Sequence, residues 1–121
     1  MALRLTPENL PAAYEYLRAC EPFCKWGLPE ADDVEFVVTR DKRHCGYHRG
    51  RRRDRYSHEI GISSLLVGSS QKLTETMAHE MIHQHQQRRG TETPNTEHNA
   101  EFHRLAKLVS RIHVFDPKAF V

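Results

Sequence analysis

The run His79-Glu80-Met81-Ile82-His83 carries an H-E-x-x-H pattern. On an α-helix, residues four apart lie on one face about a turn from each other. His79 and His83 can therefore offer two imidazole nitrogens to one Zn²⁺ at about 2.0–2.1 Å. Glu80, one position round, sits beside the metal without ligating it, where it can hold a water and take its proton. The chemistry this spacing supports is hydrolysis by a metal-activated water, with Zn²⁺ the expected cofactor and Glu80 the catalytic carboxylate. Imidazoles also accept Mn, Co and Ni.

A hydrolytic zinc needs a third protein ligand and one open position. The extended pattern of one zinc class would place Gly at 86 and His at 89; here these are Gln86 and Arg89, which excludes that class. The downstream donors are Glu97, His98, Glu101 and His103. A final helix is expected from Asn95 or Thr96 to about Ile112, with Phe102, Leu105, Val109 and Ile112 on a buried stripe. His98 falls within that stripe and faces inward, so it is the favoured ligand. Glu101 or Glu97 is the alternative, and Glu101 can otherwise support a ligand from behind. His103 points away, and His85 and His113 read as packing or exposed residues.

These side chains require a scaffold. Ser69-Ser70 offers N-caps for a helix over about Gln71–Arg88, with Leu73, Met77, Ala78, Met81 and Ile82 in one apolar sector and the histidines outside it. Upstream, Thr6 reads as an N-cap with Pro7 opening a helix to about Cys20. Val34–Thr39, Cys45–His48 and Glu59–Ser63 read as short strands of an antiparallel or mixed sheet. The fold class is α+β: an N-terminal helix, a small three-stranded sheet, the metal helix and a closing helix that returns His98, in one domain over 1–121.

Composition narrows the setting. The chain has 38% hydrophobic and 28% charged residues, as a folded globular protein does. It shows no bilayer-length apolar run and no secretory leader, which points to a cytoplasmic protein and no membrane partner. Cys20, Cys24 and Cys45 contain no C-x-x-C pair and read as free thiols. The net charge of +2 is unevenly spread: Arg40–Arg55 holds eight Lys/Arg against two Asp, and the rest ten against fourteen acids. Arg43, Arg49, Arg51, Arg52, Arg53 and Arg55 are thus candidates for a phosphate-facing patch, the alternative being a solvated loop.

Thr74–His83 followed by Glu97-His98-Asn99-Ala100-Glu101-Phe102 resembles the SprT-like (Spartan-type) metallopeptidase domain. In that family an H-E-x-x-H helix precedes an H-G-x-x-F-like segment carrying the third histidine. His98 and Phe102 match it, while Asn99 replaces the usual glycine; asparagine tolerates left-handed backbone better than most residues. Cys45-Gly46-Tyr47 and Ile60-Gly61-Ile62-Ser63 are similar to the family's paired strands, and the resemblance spans about residues 34–115. It implies a zincin-like fold, His79, His83 and His98 as ligands, and DNA-associated proteins as substrates. Many members carry a C-terminal Cys-rich zinc module, and the sequence runs to Val121 without one. The expected function is a zinc endopeptidase acting on a protein or peptide, with DNA engaged through residues 40–55. Tyr47, His48 and Tyr56 are candidates by residue type for a donor to the oxyanion. The competing reading is a non-catalytic, zinc-stabilised nucleic-acid-binding module.

Overall fold

The computed structural model describes residues 3–51 and 55–116. Helix α1 spans Asn9–Arg18. Thr6 caps it as expected; regular helical bonding begins at Asn9 and not Pro7 because Pro11 has no N–H to return to the Pro7 carbonyl, although the Leu10 N–H still reaches the Thr6 carbonyl at 3.4 Å. Thr6 Oγ1 accepts the Asn9 N–H at 3.1 Å, and Asn9 Oδ1 accepts the Thr6 N–H at 2.9 Å, a reciprocal box that organises the entering turn. Leu10, Tyr14 and Leu17 form its buried face. Two 3₁₀ turns, Phe23–Lys25 and Ala31–Asp33, lead into the sheet.

The sheet is mixed. Strands β1 (Val34–Thr39), β2 (Gly46–Gly50) and β3 (His58–Ser63) lie in the order β1-β3-β2. β3 pairs parallel with β1 and antiparallel with β2. It is buried along its whole length, as expected for the central strand. Side chains alternate between faces, and the register places Gly46, His48 and Gly50 in one row with Ile62, Ile60 and His58. That row faces α2 (Ser70–Arg89): a Cβ on Gly46 would meet Thr76 and Glu80, and one on Gly50 would meet Gln87. Tyr47, Arg49 and Glu59 therefore occupy the opposite face, where the Tyr47 ring lies across Gly61.

Ser69 caps α2 by accepting the Lys72 N–H at 3.1 Å, and left-handed Gly90 (φ 69°) ends it. Leu73, Met77, Ala78, Met81 and Ile82 are all buried, so the apolar sector read from spacing is the face that meets the core. Helix α3 spans Ala100–His113, starting later than the sequence suggests. Asn95 takes a left-handed backbone (φ 61°), and the Thr96 N–H returns to the Thr93 carbonyl at 3.1 Å, so a tight turn uses these residues instead. The cap is Asn99, whose Oδ1 accepts the Phe102 N–H at 2.9 Å. His98 consequently lies before the helix and not on it. Phe102, Leu105 and Val109 are buried as expected, but Ile112 is 41% exposed because it sits at the stripe's edge near the helix end.

Candidate metal centre

His79 and His83 reach a common point because α2 stacks them one turn apart, on a face distinct from its core sector. The chain then reverses through residues 90–99 and brings His98 to the same point. The three rings form a nearly equilateral triangle, with centroid separations of 5.1, 4.9 and 5.2 Å. One ring nitrogen from each lies within 4.8 Å of the other two. Among the described residues this is the one grouping of three or more His, Cys, Asp or Glu side chains close enough to share an ion. Glu97, Glu101 and His103 are outside it.

Phe102 forms the floor. It is fully buried, its ring stacks on His98 at 4.1 Å and 9°, and it lies 4.6 Å from His83 and 5.0 Å from His79. Spacing alone marked Phe102 as core; that it supports all three histidines follows only once the chain has reversed.

The donor chemistry suits a cation. Burial pushes the His83 pKa down to about 4, helped by neighbouring His98, and burial also lowers His98. Both imidazoles are thus neutral near pH 7, with lone pairs to donate. His98 Nε2 is buried without a hydrogen-bond partner, and Glu97 lies 3.9 Å away, beyond bonding reach. Leaving such an atom unpaired costs about 1–3 kcal/mol. A metal ion at the centre of the triangle satisfies it, so the residues fit the group.

Glu80 is 5% exposed beside the triangle, with one carboxylate oxygen 3.3 Å from where a Gly46 Cβ would stand. Burial, then the nearby Glu97 charge, raises its pKa to about 8. A dication beside it would draw that value down again. Glu80, the histidines and the β2 residues Gly46 and His48 line a cleft of about 700 Å³, with Arg43 and Lys72 also on its wall.

The remaining sequence candidates scatter. Glu101 accepts hydrogen bonds from Gln86 at 2.9 Å and Thr91 at 2.5 Å, and touches none of the three histidines through them. Arg43 lines the cleft. Arg49 and Arg51 belong to an ion network on the sheet's far face: Arg51 bridges Glu35 and Glu59, the latter at 2.6 Å, and Arg49 lies over the Tyr47 ring at 4.8 Å. Arg55 stacks on Tyr56 at 5.3 Å, while Arg52 and Arg53 lie outside the described residues. Tyr47 donates its hydroxyl to Glu59 on that far face, which removes it as an oxyanion donor. His48 stands on the cleft side, its Nε2 3.0 Å from His58 Nδ1. Asn99 is extended (φ −81°); the left-handed asparagine is Asn95.

Among the described residues, three helices and a small mixed sheet form an α+β fold whose histidine triangle, between helix and returning loop, could hold a metal ion. The family model for the SprT-like family matches residues 13–119, so the chain belongs to the SprT-like family. The match reaches further upstream than the resemblance read from the motifs and takes in most of α1. A comparison with curated proteins returns no match. No helix of the described residues is long and apolar enough to cross a membrane.

Proposed function

We propose that this chain is a zinc-dependent metallopeptidase with a zincin-like fold in a single domain, cleaving protein substrates. The observation that carries the reading is the buried carboxylate of Glu80 beside three converging imidazoles. His79, His83 and His98 would hold the ion. A zinc ion in such a site supplies water activation and carbonyl polarisation. Glu80 takes a proton from the attacking water and returns it to the leaving amine. A bound dication would draw down the raised pKa of Glu80 and leave its carboxylate ionised and able to accept that proton. The outer edge of β2 borders the cleft, and its backbone groups can align an extended peptide by strand pairing.

The purely structural alternative gives no reason to bury an acid here, since a site that only stabilises a fold is closed by its ligands. We further infer that the substrates are proteins associated with DNA inside the cell. Arg43 on the cleft wall supports this as a phosphate contact, with exposed Arg55 as a further candidate, whereas Arg49 lies on the far face beside Glu59. Arg51 contributes less, because its charge is already spent on Glu35 and Glu59.

Glu80→Gln tests the mechanism. The variant is expected to bind one zinc with the affinity of wild type and to lose cleavage of an unfolded protein substrate by at least a hundredfold. Cleavage at the wild-type rate would remove Glu80 from the chemistry.

A further inference from the structure

The helix presets two of the three histidines, but nothing so rigid presets the third. His98 lies in the non-helical connection between Gly90 and Asn99, and residues 92–97 of that connection are all exposed. Apolar burial therefore does not hold this segment. Its anchor is polar and converges on Asn99. Asn99 Nδ2 donates to the Thr91 carbonyl at 2.9 Å and to Thr93 Oγ1 at 3.0 Å. Asn99 Oδ1 accepts from Gln86 Nε2 at 2.9 Å and from the Phe102 N–H at 2.9 Å. Gln86 Nε2 also donates to Glu101 Oε1 at 2.9 Å, which accepts the Thr91 hydroxyl at 2.5 Å.

We propose that Asn99 is the positioning residue of the third ligand: with Gln86, Thr91 and Glu101 it forms a clasp that holds the His98 segment in its ligating pose before metal arrives. The inference rests on reading His79, His83 and His98 as a metal site. Gln86 lies three residues after His83 and seven after His79, on the same helical face. The clasp thus fastens the returning segment to the very helix that carries the other two ligands. It also starts α3, setting Phe102 under the His98 ring. An amide is suited to the task because it donates and accepts at once. A glycine at this position would have no side chain to do so.

The consequence is energetic. A segment ordered during folding costs the metal nothing, whereas a loose one is ordered at the expense of binding. Breaking the supports behind a metal ligand typically weakens affinity by about 10–100-fold. Asn99→Gly is the sharpest variant, because glycine caps a helix nearly as well as asparagine and α3 keeps its start. Gln86→Leu breaks the clasp from the other side, and His103→Ala is the control.

For the full chain, zinc affinity and release rate would be measured by competition with a chromophoric chelator. Amide exchange of the metal-free proteins would be followed in parallel. Asn99→Gly and Gln86→Leu are each expected to bind zinc about 10–100-fold more weakly and release it faster. The double variant should be little worse than the weaker single, since both break one network. Exchange should quicken over residues 91–98 and hold steady in α2, with His103→Ala at wild-type values. Affinities within twofold of wild type in both variants would overturn the clasp while leaving the metal site intact. Exchange that quickens equally along the whole chain would reduce Asn99 to a stability residue. Wild type that binds no zinc would overturn the metal reading itself, and the clasp with it.

Discussion

Gly46 is one of the points where the edge strand packs closely against its neighbours, and replacing it with alanine puts a number on that contact. A Cβ there would stand 2.8 Å from the Gly61 carbonyl oxygen, 3.0 Å from Thr76 Cγ2 and 3.3 Å from a Glu80 carboxylate oxygen. The nearest of these is backbone, so it cannot rotate away, and comfortable contact begins near 3.5 Å. β2 must therefore back off by about half an ångström. Overpacking of this kind costs about 1–3 kcal/mol. Alanine recovers about 0.5–1 kcal/mol by restricting the unfolded chain. The net loss is about 0–2.5 kcal/mol, up to several degrees in Tm for a domain of this size. Because the strand that retreats borders the cleft opposite Glu80, activity should suffer as well. A displacement of about 1 Å can cost 10²-fold, so half of that predicts roughly tenfold in kcat/KM.

The assay is urea unfolding of Gly46→Ala beside Gly68→Ala, with peptidase rates on both. Nothing stands within 4 Å of a Cβ at Gly68 among the described residues, and its φ is not in the left-handed range. Gly68→Ala should therefore be neutral or stabilising by up to about 1 kcal/mol. Equal stability of the two variants would refute the close approach of β2 to α2, and with it the account of why a glycine precedes His48.

Three further outcomes follow from the same geometry. Phe102→Leu removes ring contacts to three histidines, each worth about 0.5–1.5 kcal/mol; unfolding should show a loss of about 1.5–4.5 kcal/mol, and chelator competition should show weaker metal binding. In the metal-free protein Glu80 is held protonated in the fold and ionises freely when unfolded, so its contribution to stability should be lost as pH rises from about 4.5 to about 8. His83, neutral in the fold while the unfolded chain takes the proton, should lower stability as pH falls from about 6.5 to about 4. Thermal melts across pH should show a decline between about 6.5 and 8 that Glu80→Gln removes, and in that variant the His83 loss below about 6.5 should stand alone. In DNA-binding titrations, Arg43→Ala should lower the salt slope by about one, whereas Arg51→Ala should act first on stability, by about 1.5–3 kcal/mol for its charged hydrogen bonds.

The histidine triangle was legible because two of its corners depend on local periodicity alone. His79 and His83 share a helical face whatever the helix packs against, and Leu73, Met77 and Met81 show which face that is not. His98 was legible for a partly mistaken reason: it was expected on α3 and stands one residue before its cap. What placed it is the turn at Thr93–Thr96 and the side chain of Asn99, both non-periodic. Sheet order was illegible, because parallel pairing of β1 with β3 is a long-range choice that strand composition does not encode. Gly46 and Gly50 were the available signal, since two glycines flanking a histidine in one strand mark a close approach.

The basic segment shows why charge counting misjudges a surface. Eight cations between Arg40 and Arg55 read as one patch. The strand's alternation divides them, because successive side chains of β2 leave on opposite faces of the sheet. Arg49 therefore turns to the face that carries Tyr47 and Glu59, and Arg51 joins it there through carboxylates supplied by β1 and β3. Arg43, before the strand begins, stays on the cleft side. A cation matched to a half-buried carboxylate stabilises the fold and offers little field to a phosphate, whereas one on the cleft wall keeps its charge for whatever enters. The sheet thus converts part of the charge cluster into structure, and among its described members Arg43 is the one left on the wall of the cleft that the three histidines line.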